Sequence, residues 1–167
     1  MPSATVPTVR VADEVWIATA LLHREHPHRS DFTVQEIVAR ARREALALPF
    51  RPGVYQHAIA HAVANRPPSP NRYRLLFATG PKTRRLYRPG DPGDPRREGG
   101  KTVPHVEDLP KSYRDLVAWY LGTYSIENSL AERIKNDPIL ALSGLGKELW
   151  ADESPDEYVR RLRQGWG

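Results

Sequence analysis

Residues 40–88 read RARREALALPFRPGVYQHAIAHAVANRPPSPNRYRLLFATGPKTRRLYR, and the reading of the whole chain turns on them. The stretch holds eleven Lys and Arg (Arg40, Arg42, Arg43, Arg51, Arg66, Arg72, Arg74, Lys82, Arg84, Arg85, Arg88) against one carboxylate, Glu44. Pro49 and Pro52-Gly53 make a turn. After it Tyr55, Ala58, Ile59 and Ala62 recur at i, i+3, i+4 and i+7, the core stripe of a helix, with Gln56, His57, Ala60, His61 and Ala64 on the opposite face. Asn65 and then Pro67-Pro68 stop that helix. Residues 72–77 place Tyr73, Leu75 and Phe77 on one strand face, residues 79–83 turn, and residues 84–88 return as a second strand. An isolated hairpin is marginal in water, so this one is expected to pack on the helices.

Upstream, residues 1–8 read as a loose tail. Val11, Val15, Ala18 and Leu22 then share one helical face, Asp13 and Glu14 suit the positive end of that helix, and Pro27 ends it. A second helix starts at a capping box, Thr33-x-x-Glu36, with Phe32 and Ile37 as its hydrophobic staple. It runs to about Ala45, burying Val34, Ile37, Val38 and Ala41 and leaving Arg40, Arg42 and Arg43 outside.

Three helices followed by a hairpin within residues 9–88 resemble a winged helix-turn-helix domain. The expected fold is mainly α with a small β-hairpin, extended by a helical C-terminal part. Charge agrees with topology: residues 1–110 carry 17 basic and 11 acidic side chains, a net of +6, and residues 111–167 a net of −1. A basic stretch on such a scaffold points to double-stranded DNA. On that reading Gln56, His57 and His61 reach base edges in the major groove, with Ala60 and Ala64 letting the helix approach. Arg40, Arg42, Arg43, Arg51, Arg72, Arg74 and the wing residues Lys82, Arg84 and Arg85 meet phosphates. The bland alternatives are a solvated basic surface and a protein-interaction module.

Residues 89–106, rich in Pro and Gly, read as a linker. Within residues 107–136, Tyr113, Leu116, Val117, Tyr120, Leu121 and Tyr124 follow helical spacing, an aromatic stripe suited to docking on the first domain or to pairing with its copy in a homodimer. In residues 137–167, Ser154, Pro155 and Glu157 mark a short helix start. Asp137-Pro138-Ile139-Leu140-Ala141-Leu142, Gly144-Leu145-Gly146-Lys147-Glu148-Leu149-Trp150 and the run from Asp156 to Arg163 resemble the C-terminal tail of VapB-type type II antitoxins. That resemblance implies a PIN-domain ribonuclease toxin as partner and repression of the chain's own transcription. It implies that Arg160, Arg161 or Arg163 meets the toxin's metal-binding carboxylates while Leu145, Leu149, Trp150, Tyr158 and Leu162 anchor in a groove. The winged-helix-like first part departs from that family's usual DNA-binding domains. A segment folded back on its own domain is the alternative, as is a regulator with no toxin.

Other chemistry is thinly represented. The chain has no Cys, which removes disulfides, Cys-ligated metals and a thiol nucleophile and fits a reducing cytoplasm. His57 and His61 stand at i, i+4 without the Glu or third ligand of a zinc site. Gly99-Gly100-Lys101-Thr102 lacks the earlier glycine of a phosphate loop, since residue 95 is Pro. No nucleophile or acid pair converges, so the expectation is a non-enzyme without cofactor. No run is long enough for a membrane span and no leader is evident.

Overall fold

The computed structural model describes residues 8–126, together with 135, 137, 139, 160, 161, 163 and 164. The chain divides into two units, Met1–Ile126 and Glu127–Gly167. The first is mainly helical with a small three-stranded antiparallel sheet. Among the described residues no helix is long and apolar enough to cross a membrane.

Helix α1, Val11–Glu25, is the axis of the first unit. The periodicity predicts one buried face. Instead Val15, Trp16, Ile17, Ala18 and Ala20 are all fully buried, and so are Asp13, Glu14 and Thr19. The reason is that α1 is covered on several sides at once, by α2 (Val34–Glu44), α3 (Gly53–Gln56), strand β3 (Thr83–Leu86) and α4 (Asp115–Trp119). Its two buried carboxylates are matched by cations from remote loops. Lys101 Nζ lies 2.6 Å from Asp13, and Arg51 donates from Nε and Nη2 to Glu14. A buried charge is tolerated only with such a partner.

α2 begins where its capping box predicts. Thr33 Oγ1 accepts from the Glu36 amide at 3.1 Å, and Glu36 accepts from the Thr33 amide at 2.8 Å. Arg29 adds a two-pronged contact to Glu36, which with the Thr33 bonds holds that carboxyl down at about 2. A cap of this kind contributes about 1 kcal/mol. The staple residues Phe32 and Ile37 are both fully buried in the core. At the other end Ala45 takes φ 50° and ψ 40°, the left-handed C-terminal position usually given to Gly.

The sheet contains one strand beyond the expected hairpin. Strand β1, Phe32–Thr33, pairs antiparallel with β3, and β2, Leu76–Ala78, pairs with β3 on its other side, in the order β1-β3-β2. β2 is shorter than predicted. Leu75 and Leu76 are both buried, against strict alternation, because both amides donate to Ala62 O and tie the strand's root to the end of the third helix.

One further segment departs clearly from expectation, while the aromatic helix after it docks on the first unit as one of its two expected outcomes. Residues 89–106 do not act as a spacer: the Asp94 amide donates to Ala64 O, the Arg74 amide donates to Lys101 O, and Arg97 is wholly buried. Gly100 is packed so closely that a Cβ would lie 1.7 Å from Arg72 O, which is why the position holds glycine. α4 continues through a wider turn of π type, Tyr120–Tyr124, and docks on α1. Tyr120 meets Trp16 edge-on at 5.8 Å and its hydroxyl donates to Tyr87 O, while Tyr124 packs on His23 at 4.9 Å. Leu121, placed on the predicted stripe, is instead 53% exposed.

Candidate nucleic-acid interface

The third helix is short and changes pitch. α3 runs over Gly53–Gln56 and continues as a π turn over His57–His61, closed by the Ala62 amide donating to His57 O at 3.0 Å. The wider turn puts Val54, Ala58 and Ala62 on the buried side, each fully covered. Ala58 and Ala62 stand on the predicted stripe, but Val54 takes the place of Tyr55, which turns outward and is 45% exposed, and Ile59 is only partly buried. Ala64, expected on the open face, is fully buried beyond the end of the helix. Asn65 does more than stop the helix. Its side-chain amide donates to Ala78 O and its carbonyl accepts from the Ala78 amide, so it pairs with β2 as a strand would.

Of the residues assigned to base edges, Gln56 is exposed and His57 and His61 are half-buried. His57 Nδ1 lies 2.9 Å from Gly53 O, and burial, then the nearby His61 and Arg51, lower its pKa despite that carbonyl. The ring is therefore neutral at pH 7 and acts as a donor within its own helix. The His61 ring stands edge-on to it at 5.1 Å.

The expected phosphate contacts divide into two groups. Four of them are turned inward. Arg40, expected outside, is 8% exposed, donating to Glu25 and Glu44, and Tyr113 donates to the far oxygen of Glu44 at 2.6 Å. Arg51 serves Glu14. Arg85 forks onto Asp91 at 2.7 Å through both Nη atoms, over the Phe77 ring. Arg84 has no exposure at all and donates only to backbone carbonyls. Arg74 is intermediate, donating to Gly100 O and lying over the Tyr87 ring. The count of one carboxylate in the stretch misled because Glu14, Glu25 and Asp91 come from outside it.

The second group stays exposed: Arg42, Arg43, Arg72 and Lys82; Arg66, not among the residues expected on phosphates, is exposed as well. Arg42 lies over the Phe50 ring at 4.8 Å and borders an open groove of ≈ 330 Å³ between α2 and α3, lined also by Gln35, Val38, Ala39 and Tyr55. Lys82 stands at the hairpin tip, its carbonyl accepting from the Val34 amide at the start of α2. Arg66 follows the end of the third helix, its amide donating to Val63 O and its carbonyl accepting from Arg97 Nε. Arg42 thus borders the α2–α3 groove, Arg66 stands just past the third helix, and Lys82 is at the hairpin tip. The carboxylates of this region are engaged: Glu36 with Arg29 and Thr33, Glu44 with Arg40 and Tyr113, Asp31 with the Thr79 hydroxyl.

Sequence reasoning missed Arg97 altogether, because it sits in a stretch that looks like a spacer. The Asp94-Pro95 turn start just before it was the available signal, since the Asp94 side chain accepts from the Arg96 amide and begins a 3-10 turn. The tail residues Leu145, Leu149, Trp150, Tyr158 and Leu162 lie outside the described residues. Arg160, Arg161 and Arg163 are helical and exposed. Among the described residues no group of three or more His, Asp or Glu side chains is placed to hold a metal ion. Comparisons with protein-family models, with curated proteins and with solved structures return no match to the chain.

Proposed function

We propose that the first unit is a winged helix-turn-helix type domain that binds duplex DNA through the outer face of α3 and the β2–β3 tip, and that the protein regulates transcription as a repressor. The observation that carries this reading is the set of exposed cations, Arg42 at the α2–α3 groove, Arg66 just past the third helix and Lys82 at the hairpin tip, near carboxylates Glu36, Glu44 and Asp31 that are all engaged. Support also comes from the helix-strand-helix-helix-strand-strand order with its β1-β3-β2 sheet, in which the hairpin takes the place of a wing. Gln56 and the Tyr55 edge face the bases, and the three cations meet phosphates.

In the double variant Arg42→Ala, Lys82→Ala, duplex binding by the full chain should weaken on every sequence alike. Its salt slope should flatten by about 1.8 log units, two phosphate contacts at about 0.9 each. Anisotropy of a labelled duplex across a salt series reads both quantities, and an unchanged slope would remove these side chains from the interface.

The second half of the proposal rests on the tail resemblance alone: residues 137–167 hold a metal-dependent ribonuclease of PIN type in an inactive complex. The full chain, but not a chain ending at residue 136, should co-purify with a small protein whose magnesium-dependent RNA cleavage appears only after separation. A tail-independent partner, or none, removes the antitoxin role and leaves a regulator without a toxin. A protein-interaction adaptor is the competing class, favoured by the 84% exposure of Leu48 in the α2–α3 turn.

A further inference from the structure

The third helix and the hairpin tip are separate in sequence, yet one side chain spans them. Arg84 leaves the middle of β3, is completely covered, and makes no contact with a carboxylate among its hydrogen bonds. Its Nε donates to Ala58 O and one Nη to Ile59 O, both at 3.0 Å, on carbonyls at the C-terminal end of the helix. The other Nη donates to Gly80 O at 2.9 Å and Thr83 O at 2.7 Å, on the two sides of the turn, and Pro81 O lies 3.5 Å from it and 3.4 Å from the Nη that serves Ile59. Guanidinium is the one side-chain group that offers a planar fork of donors wide enough to serve both sets at once. Other bonds between these parts, from Leu75 and Leu76 to Ala62 and from Ala64 to Leu76, join the helix to the root of β2, and Asn65 just past the helix pairs with Ala78 at the strand's last residue, short of the turn carbonyls that Arg84 reaches.

We propose that Arg84 is a positioning residue that locks the tip of the hairpin to the end of α3, so that the two DNA-contacting elements form one rigid head. This rests on the DNA-binding reading for its consequence, though not for its geometry. A head fixed before binding loses little freedom when a duplex fits both parts, and that favours the sequence that matches both at once. Arg84 touches no phosphate. Its effect runs through the placement of Gln56 and Lys82.

The conservative variant Arg84→Lys tests this, because an ammonium keeps the charge but cannot reach both sets of carbonyls. The chain has no Cys, so Gln56→Cys and Lys82→Cys accept spin labels cleanly. Their distance distribution should be narrow with Arg84 and at least about twofold broader with Lys. Binding is read on unlabelled protein, with a duplex selected from a randomised library by the wild-type chain and a scrambled duplex of equal length. Affinity for the selected duplex should fall about tenfold in Arg84→Lys, with the scrambled duplex and the salt slope unaffected. A distribution as narrow with Lys as with Arg overturns the proposal. So does a slope flatter by one phosphate contact, which would make Arg84 a ligand of DNA. If the wild type selects no duplex, the DNA reading fails while the distances still decide the strut. If Arg84→Lys does not fold, hydrogen exchange on the wild type decides. The Thr79 and Ala62 amides, bonded to Thr83 O and His57 O, should open together with one protection factor and one denaturant dependence. Independent opening of the tip would sink the idea.

Discussion

Arg97→Met should cost the first unit about 4 kcal/mol or more, enough to remove much of the stability of an ordinary domain. Arg97 has no exposed surface and donates to six backbone carbonyls. They are Arg66 O, His61 O, Asn71 O, Tyr73 O, Ala60 O and Pro67 O, at distances from 2.6 to 3.4 Å. Ala60 and His61 end the third helix, where carbonyls run short of backbone partners, though Ala60 O also accepts from the Val63 amide at 3.2 Å. Together with Arg84 on Ala58 and Ile59, two guanidinium groups satisfy four successive carbonyls. Methionine matches the length of the stem but removes the guanidinium from all six acceptors, of which Ala60 O keeps the Val63 amide. An unsatisfied buried acceptor costs about 1–3 kcal/mol, and partial relaxation of the loop recovers some of it. Arg97→Lys should fall between the two, since three donors reach fewer acceptors. Urea melts of the full chain check this, with a drop in midpoint at unchanged slope as the expected form. A loss under about 1 kcal/mol would mean that water replaces the guanidinium easily and that the carbonyl cage is not a structural centre.

The second large effect is on pH. His23 is 4% exposed, sandwiched between Phe32 and Tyr124 at 4.9 Å from each, and its Nε2 faces the Leu86 amide at 3.4 Å. An amide can donate to Nε2 only while that nitrogen lacks a proton. Burial first, then Arg88, Arg85 and Arg29, pushes its pKa down from 6.5 to about 3. For a base with a depressed folded-state pKa, protonation favours the unfolded chain. Stability is therefore intact above 6.5 and lost progressively as pH falls towards about 3. The slope is about 1.4 kcal/mol per pH unit, so roughly 2 kcal/mol goes between pH 6.5 and about 5, above the carboxylate range. His57 titrates with the same sign but is common to both proteins in the comparison. His23→Gln keeps an acceptor for the Leu86 amide and should remove most of that slope. Parallel pH profiles for wild type and variant would show that His23 stays solvated enough to charge.

Local signals in this chain were legible because their partners are local. The Thr33-x-x-Glu36 box, the end of α1 at Glu25 and the hairpin turn depend on residues within a few positions, and each stands where its pattern predicts. The cationic residues were not legible in the same way. Arg40, Arg51 and Arg85 are matched by Glu25, Glu14 and Asp91, and Arg84 and Arg97 by carbonyls, all of which depend on the tertiary fold. A charge count over a window sees the cations and not these partners. Likewise a two-residue strand such as β1 has no periodicity to detect, and the 3.6-residue period placed Tyr55 and Ile59 inside with Ala58 and Ala62, where a four-residue helix followed by a π turn buries Val54, Ala58 and Ala62. What remains of the predicted interface is smaller than the eleven cations suggested, and it is centred on Arg42, Arg66, Lys82 and the outer face of α3.

The most direct test of the central claim is a salt titration of duplex DNA binding by the full chain. Three phosphate contacts predict that log K falls linearly with log salt at a slope of about −3, with clear retention of a duplex at the lowest ionic strength. No retention of any duplex at low salt would contradict the account, for exposed guanidinium and ammonium groups with no attraction to a polyanion would not be an interface for DNA.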